Sequence, residues 1–138
     1  MRGKLKVYFA SKLHHASRWR KLRDTWTDLE VTSTWIDSVN LEREQRLGPS
    51  AFAAIWESNL QAIARSDVLV YYEQLNEEMR GTLVEVGYAL AHDVWVLAVG
   101  ANGTWQHAKG ITSVEDNMEM MAWLANKLGK VRTGDSND

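Results

Sequence analysis

The sequence predicts an α/β protein in which helices cover both faces of a parallel sheet, a three-layer sandwich. Strand-length apolar runs alternate along the chain with segments of helical periodicity, and this alternation is typical of right-handed β-α-β crossovers. Two of the runs, at 67–72 and 94–99, are almost continuously apolar, as strands buried on both faces are. The length of 138 residues suits one domain. We expect that domain at 1–131 and a disordered polar tail at 132–138.

The first half of the chain holds two predicted strands and two predicted helices. An apolar run predicts a strand at 5–10, and tryptophan and leucine at helical spacing predict a helix at 16–26. Alternating apolar and polar residues predict the second strand at 30–36. Pro49 is a helix-start signal, and the helix that it opens is expected to end near residue 65.

The second half continues the alternation. Strands are expected at 67–72 and 94–99, with a helix at 82–91 between them. A shorter strand is expected at 111–114 and a last helix at 115–128. The loops at the carboxyl ends of the strands therefore meet at one edge of the sheet, where ligands bind in open α/β folds.

Composition excludes several classes of protein. Cysteine is absent, so the chain forms no disulfide and holds no thiolate metal site, and a cytoplasmic location is expected. No apolar run approaches the roughly 20 residues that span a bilayer, so no membrane partner is expected. The formal net charge is -2, and the basic residues of 18–23 are interpreted as a solvated helix face. Duplex nucleic acid is therefore not an expected partner.

Cofactor and metal motifs are missing. The sequence has neither the G-x-G-x-x-G of dinucleotide sites nor the G-x-x-x-x-G-K-[ST] of nucleoside triphosphate sites, and no cofactor is expected. His14 and His15 are adjacent, and adjacent side chains point apart in most backbones, so no metal site is expected. Ser11 lacks the nucleophile-elbow sequence that a serine triad requires, although its hydroxyl could contact a ligand.

Several residues near the predicted strand ends are candidates for binding a ligand. Trp35 and Trp105 lie near such loops, where either indole could stack on a planar base; the alternative for each is packing in the core. Asp37, where the loop after the second predicted strand begins, is a further candidate. Asn59 interrupts the apolar stripe of the helix that begins at Pro49. Its amide either hydrogen-bonds neighbouring backbone or points into the site.

Glu85 is open to two interpretations. It lies in the first turn of the predicted helix at 82–91, which is entered through Gly81. Thr82-x-x-Glu85 fits a capping box, in which the glutamate only returns a hydrogen bond to the helix cap. A carboxylate at the carboxyl end of a parallel sheet can also act as a nucleophile, and a helix N-terminus would favour its ionised form. Gly81 and Thr82 would then border the substrate, with the glycine allowing a close approach of the backbone.

Four segments carry a resemblance to a known family. They are KVYFAS at 6–11, VTSTWI at 31–36, N-L-x-x-I-x-x-S-D-V-L-V at 59–70 and, most specifically, RGTLVEVGYALA at 80–91. In order and spacing they resemble the nucleoside 2-deoxyribosyltransferase family and its nucleotide N-hydrolase relatives over residues 4–100. The resemblance implies a flavodoxin-like fold with strand order 2-1-3-4-5. It also implies that Glu85 attacks the anomeric carbon of a ribosyl or deoxyribosyl group and that Tyr8 orients Glu85.

The function implied by the resemblance is cleavage or transfer of the N-glycosidic bond of a nucleoside or nucleotide through a covalent glycosyl-glutamate intermediate. Asn59 and Met79 depart from the family, whose members usually carry an aspartate at the first position and often at the second. These departures leave open a non-catalytic nucleotide-binding or sensing module of the same fold. Whether water or a second base accepts the sugar is also open.

The expected partners are a small-molecule nucleoside or nucleotide and further copies of the chain. A 5'-phosphate would meet residues around the loop and first helical turn after the first strand, namely Ser11, Lys12, His14 or Arg18. The resemblance implies assembly with a neighbouring subunit that completes the pocket. An apolar helix face for such a homo-oligomer is offered by Met118, Met120, Met121 and Trp123.

Overall fold

A computed structural model describes residues 3–38, 48–75 and 77–134 of the chain. Within these residues the centre is a five-stranded, all-parallel sheet in the order β2-β1-β3-β4-β5. The strands are β1 (Leu5–Ala10), β2 (Leu29–Val31), β3 (Val68–Tyr72), β4 (Trp95–Val99) and β5 (Ile111–Val114). The helices are α1 (Ala16–Thr25), α2 (Trp35–Ser38), α3 (Pro49–Ala64), α4 (Gly81–Ala91) and α5 (Asn117–Thr133), with 3-10 turns at Leu13–His15 and Trp105–His107. Helices flank the sheet, so the predicted flavodoxin-like α/β fold and its strand order are confirmed.

The strand order places a topological switch point between β1 and β3. β1 pairs in parallel with β2 on one side and with β3 on the other, so the crossovers that follow β1 and β3 run in opposite directions. Tyr8 lies opposite Leu69, and Ala10 lies opposite Tyr71, in the register of β1 with β3. The loops after these strands diverge and leave a crevice at the carboxyl edge of the sheet, where such folds bind ligands.

Two apolar clusters, one on each face of the sheet, form the core. Phe9 belongs to the cluster shared with Trp19 of α1 and Leu124 of α5. Tyr8, the preceding residue of β1, belongs to the cluster shared with Ile63 of α3. All of β3 is buried, which confirms the prediction of a strand covered on both faces. Among the described helices, none combines the length and the apolar character needed to cross a bilayer.

The second strand is shorter than the sequence predicted, and that prediction was wrong beyond Val31. β2 ends there, and Trp35 starts the short helix α2 instead of closing the strand. Side chains replace the strand: the Ser33 hydroxyl accepts the Phe9 N–H at 3.1 Å, and the Trp35 indole N–H donates to the Phe9 carbonyl at 2.8 Å. These side chains satisfy the Phe9 backbone N–H and carbonyl, which a longer β2 would otherwise bond. The backbone after Val31 can therefore turn into helix α2.

The last helix runs past its predicted end and includes two residues that the sequence assigned to the tail. α5 continues to Thr133, and Gly134 ends it in the left-handed conformation with φ of 77°. Arg132 holds the end of the helix against the rest of the molecule through an ion pair with Asp28 at 2.7 Å. Residues 135–138, the remainder of the predicted tail, lie outside the described residues.

Candidate active site

A cavity of about 530 Å³ opens at the switch point, between the end of β1 and the helices α3 and α4. Its volume is within the range of small-molecule sites. Eight of the residues that the sequence singled out line it: Tyr8, Ser11, Lys12, Trp35, Asn59, Gly81, Thr82 and Glu85. These residues are distant in the sequence and meet here because the crossovers after β1 and β3 diverge.

Glu85 lies in the second turn of α4 rather than the first, because the helix starts at Gly81. The residue is 7% exposed, and its carboxylate accepts a hydrogen bond from the Tyr8 hydroxyl. Among the described residues no side chain caps α4, whose N-cap is Arg80, and Thr82 lies inside the helix. The capping-box interpretation of Thr82 and Glu85 was therefore wrong, since strand β1 engages the carboxylate.

The protonation of Glu85 is set by its surroundings. Burial raises the pKa of Glu85 to about 7, and the hydrogen bond from Tyr8 offsets part of the rise. The sequence predicted that the helix N-terminus would favour the ionised form. That prediction was wrong because the group lies a full turn into the helix, where the dipole effect has decayed and desolvation dominates. Burial, and then the Glu85 charge, raise the pKa of Tyr8, so the phenol stays protonated and donates.

The loop after β1 and helix α2 form the polar and aromatic wall of the cavity. The hydrogen bond from the Trp35 indole to the Phe9 carbonyl fixes this ring at the wall. Ser11 is buried, accepts the Trp19 indole N–H at 2.8 Å and donates to the Lys12 carbonyl at 3.3 Å. The Ser11 hydroxyl is therefore occupied internally, whereas the half-buried Lys12 side chain borders the cavity.

Asn59 and Thr82 are polar lining residues whose side chains form no hydrogen bond within the described part of the chain. Asn59 is half-buried, and its amide forms no hydrogen bond with another residue of the described chain. This position favours the interpretation in which Asn59 points into the site. Thr82 Oγ1 is buried and likewise has no partner within the described ranges. Because an unpaired buried polar group costs free energy, Thr82 is a candidate to bind a ligand. Asn59 is a candidate because its amide borders the cavity.

Asp37 and Trp105, two of the predicted ligand residues, are absent from the described lining of the cavity. The Asp37 carboxylate forms an ion pair with the Arg23 guanidinium of α1 at 2.7 Å. Asp37 is therefore directed toward α1 rather than toward a ligand. Trp105 packs edge-on against Tyr71, with ring centroids 4.6 Å apart, and belongs to the core on that face. The core alternative therefore holds for Trp105.

His14 also lies away from the described lining, because Glu77 engages it. The Nε2 atoms of His14 and His15 lie 3.0 and 2.9 Å from Glu77 Oε2. Burial acts to raise the pKa of Glu77, but the hydrogen bond from the Gln74 backbone and the two histidines lower that pKa below its ordinary value. The ionised carboxylate disfavours the phosphate that the sequence placed beside His14.

The sequence missed the apolar wall of the cavity, which α3 provides through Phe52, Ile55 and Trp56. These residues belong to the apolar stripe of α3, of which only the later part, at Ile63, is fully buried. Asn59 was the signal in the sequence that could have revealed this wall. A polar residue within an apolar stripe indicates that the stripe is not packed in the core along its whole length. Gly81 makes room for this wall: a Cβ there would lie 3.3 Å from the Trp56 indole.

Solved structures that are similar to this chain include the following three. A 2-deoxyribosyltransferase from Bacillus psychrosaccharolyticus matches with a TM-score of 0.60 at 17% sequence identity, over 86% of this chain and 95% of that one. The CMP N-glycosidase BcmB of Clostridium botulinum matches with a TM-score of 0.53 at 14% identity, over 88% and 97%. A conserved protein from Enterococcus faecalis V583 matches with a TM-score of 0.65 at 14% identity, over 91% and 99%. No family model and no curated protein sequence matches the chain.

These likenesses confirm the predicted fold. The deoxyribosyltransferase and the CMP N-glycosidase both belong to the nucleoside 2-deoxyribosyltransferase-like family, which the segments at 6–11 and 80–91 resemble. Their architecture matches the parallel sheet in the order 2-1-3-4-5. At 14–17% identity the likeness establishes the architecture, so an activity has to rest on the chemistry of the cavity.

Proposed function

We propose that the protein cleaves or transfers the N-glycosidic bond of a nucleoside or nucleotide, with Glu85 as the nucleophile. The observation that carries this proposal is the Glu85 carboxyl, which lines a cavity of about 530 Å³ and is hydrogen-bonded by Tyr8 from another element. A carboxylate beneath the sugar is the nucleophile that retaining glycosyl transfer requires. Structural neighbours named as a 2-deoxyribosyltransferase and as a CMP N-glycosidase support the same chemistry here.

In the first step, a Glu85 oxygen attacks the anomeric carbon while the bond from that carbon to the base nitrogen breaks. The bonding electron pair leaves with the base, which takes up a proton, and the sugar becomes an ester of Glu85. Because Tyr8 donates to Oε2, we assign the attack to the other oxygen, Oε1. The transition state resembles an oxocarbenium ion, whose positive charge the carboxylate also stabilises.

In the second step, water or a second base attacks the same carbon and the bond to Glu85 breaks. The incoming nucleophile gives up a proton, and the carboxylate is restored. Attack by water completes a hydrolysis, and attack by a base completes a transfer to a new nucleoside.

The rest of the cavity fits a flat base and a polar sugar. Trp35 and Trp56 border it with indole rings on which a base can stack. Asn59 offers an amide that both donates and accepts at a base edge. Lys12 and Arg80 also line the cavity, so a 5'-phosphate would meet positive charge there.

The leaving base needs a proton, and the described lining offers no second carboxyl group to supply it. Glu85 is the one acidic residue among the described residues that border the cavity, and the Asn59 amide is not a general acid. We therefore assign the proton to solvent. Protonation by solvent forgoes about 10²–10⁴-fold of rate that a positioned acid contributes, so a low turnover is expected.

The test is release of free base from a panel of nucleosides and 5'-nucleotides, with and without a second base. Wild-type protein is expected to release base from at least one substrate. Glu85→Gln is expected to lower that rate by about 10³-fold or more, because the nucleophile is lost. Glu57→Gln, at an exposed position of α3, is the matched control and should keep the wild-type rate. Equal rates for wild type and Glu85→Gln would exclude the mechanism.

A second function, binding or sensing of a nucleotide without turnover, is favoured by the lack of a second carboxyl in the described lining. It predicts that ligand changes the tryptophan fluorescence, because Trp35 and Trp56 border the cavity. It also predicts that no member of the panel releases base. Base release that depends on Glu85 would support the enzymatic function. Ligand binding without base release would support the nucleotide-binding or sensing function.

A further inference from the structure

His14, His15 and Glu77 form a cluster at the carboxyl edge of the sheet, apart from the described cavity lining. The Nε2 atoms of the two histidines lie 3.0 and 2.9 Å from the same Glu77 oxygen, Oε2. One donor atom from each residue lies within 4.8 Å of the other two. The cluster therefore directs two imidazole nitrogens and one carboxylate oxygen to one point.

The backbone brings the two adjacent histidines to the same side. Leu13–His15 forms a turn of 3-10 helix, which the His15 N–H closes by donating to the Lys12 carbonyl at 3.0 Å. The two rings lie 4.1 Å apart. The expectation that adjacent side chains point apart was wrong here, because this turn replaces the extended backbone in which neighbours alternate.

Glu77 and His15 are held by further contacts. The second Glu77 oxygen, Oε1, accepts the Gln74 backbone N–H at 2.7 Å, which leaves Oε2 for the histidines. His15 is 5% exposed and packs edge-on against Tyr72, with ring centroids 5.1 Å apart. Two of the three donors are therefore oriented by the protein itself, as the ligands of metal sites usually are. The His14 side chain is 59% exposed, which gives an ion a path from solvent.

We propose that this cluster binds a divalent transition metal, with Zn²⁺ as the best fit, through His14 Nε2, His15 Nε2 and Glu77 Oε2. Zinc takes imidazole nitrogen and carboxylate oxygen at about 2.0–2.2 Å. Tetrahedral bonds of that length put the donor atoms roughly 3.3 Å apart, close to the 2.9 and 3.0 Å of the two nitrogen–oxygen pairs. The metal replaces the contacts between the histidines and the glutamate, and water takes the fourth position.

A metal here joins two loops that flank the switch point. His14 and His15 follow β1, whereas Glu77 follows β3. The loop leading to the histidines borders the cavity through Ser11 and Lys12. A bound ion would therefore restrain the position of this loop at the cavity wall. Two histidines also suit a phosphate, but the Glu77 carboxylate, 3.0 Å from His14, repels an anion.

The test is titration of the full, untagged chain with zinc chloride, followed by calorimetry and by NMR of the histidine ring nitrogens. The chain has four histidines, so His92 and His107 serve as internal references. We expect saturable binding of one zinc ion per chain, with shifts at Nε2 of His14 and His15 and none at the references. Inorganic phosphate is expected to shift neither. Shifts with phosphate and none with zinc would make the cluster an anion site and overturn the proposal.

Variants assign the ligands. His14→Ala removes an exposed side chain, so folding is preserved, and is expected to weaken zinc binding at least about tenfold. Glu77→Gln keeps the shape of the side chain and is expected to weaken binding as strongly. His107→Ala and Glu78→Gln, at exposed positions, are the matched controls and should bind as wild type does. Unchanged affinity in both His14→Ala and Glu77→Gln, or shifts at His92 instead, would overturn the proposal, as would a lack of saturable binding.

Discussion

At the residue scale, two pairs of phenol and carboxyl lie side by side on one face of the sheet and can be compared. Tyr8 donates to Glu85 at the cavity wall, whereas Tyr71, on the neighbouring strand, donates to Glu73 at 2.8 Å. Both tyrosines belong to the same core cluster. Burial raises the pKa of both phenols, so both remain donors at neutral pH. The Tyr71 pair is a natural control for the Tyr8 pair.

Tyr8→Phe is expected to weaken the proposed nucleophile without removing it. The change deletes the hydrogen bond that lowers the pKa of Glu85, so that pKa rises further above about 7. The acidic limb of the pH profile of kcat/KM should move up by about one pH unit, and kcat at neutral pH should fall about tenfold or more. Tyr71→Phe is expected to leave the limb in place. A limb that moves equally in both variants would contradict a specific role for Tyr8.

Glu85 also makes the free energy of unfolding depend on pH. Its pKa is about 7 in the native state, against an ordinary value of 4.5, so the native state binds this proton more tightly than the unfolded state does. The resulting stabilisation is complete below about pH 4.5 and is lost as the pH rises through about 7. At alkaline pH the fold therefore carries a buried charge at the position that the proposed reaction uses.

Glu85→Gln is expected to be more stable than wild type at alkaline pH, because an amide does not ionise. A pKa change from 4.5 to about 7 corresponds to roughly 3 kcal/mol, which should appear at about pH 8 and vanish at about pH 4. Urea unfolding at the two pH values measures the difference. Glu57→Gln is again the control. If Glu85→Gln gained the same stability at both pH values, packing rather than ionisation would explain the gain.

At the element scale, a turn at Gly100 connects the carboxyl ends of β3, β4 and β5 through backbone hydrogen bonds. The Glu73 N–H donates to the Val99 carbonyl at 3.2 Å, and the Gly100 N–H donates to the Val114 carbonyl at 3.0 Å. Gly100 has φ of +71°, and a Cβ there would lie 2.7 Å from the Glu73 carbonyl oxygen. Both the backbone conformation and the neighbouring carbonyl therefore require glycine. This turn supports the start of the loop that leads from β3 to α4.

Gly100→Ala is expected to lower the free energy of unfolding by at least about 2 kcal/mol, through the positive φ and the contact with Glu73. Gly129→Ala is the matched control: it lies inside α5, and its Cβ position has no described neighbour within 4 Å. There alanine should raise stability by up to about 1 kcal/mol, because it favours the helix. Urea unfolding measures both changes, and similar losses in the two variants would contradict the account of the turn.

At the scale of the whole molecule, the apolar residues of α5 are mostly used within the chain. Met120 is 2% exposed, and Met121 and Trp123 pack against the same core cluster. Met118 is 82% exposed. Of the helix face that the sequence analysis proposed for self-association, Met118 is therefore the residue that remains largely exposed. The homo-oligomer stays a prediction.

Sedimentation equilibrium is expected to give a mass above that of one chain. Met118→Glu should shift the protein toward the monomer, because an interface that buries a carboxylate loses affinity. Leu75→Glu, at a position that is 85% exposed in the loop after β3, is the control and should leave the mass unchanged. A wild-type chain that is monomeric at every concentration would contradict the prediction.

Much of the architecture could be predicted from local pattern, and the error in the second strand shows where local pattern is insufficient. The runs at 67–72 and 94–99 became β3 and β4, because a strand buried on both faces is apolar along its whole length. The strand predicted at 30–36 stopped at Val31. There the outcome depended on whether Ser33 and Trp35 bond the neighbouring strand, which alternation of polar and apolar residues does not encode.

By itself, the sequence determined the order of the five strands and of the longer helices, whereas the short helix α2 was not predicted. The segment at 80–91 pointed to Glu85, and the family resemblance pointed to Tyr8. Tertiary structure decided which side chains meet: Tyr8 and Glu85 are 77 positions apart, and His15 reaches Glu77 across 62. It also decided that Glu85 holds its proton up to about pH 7. Periodicity is a local property of the chain, whereas contact and desolvation depend on every element packed around a group.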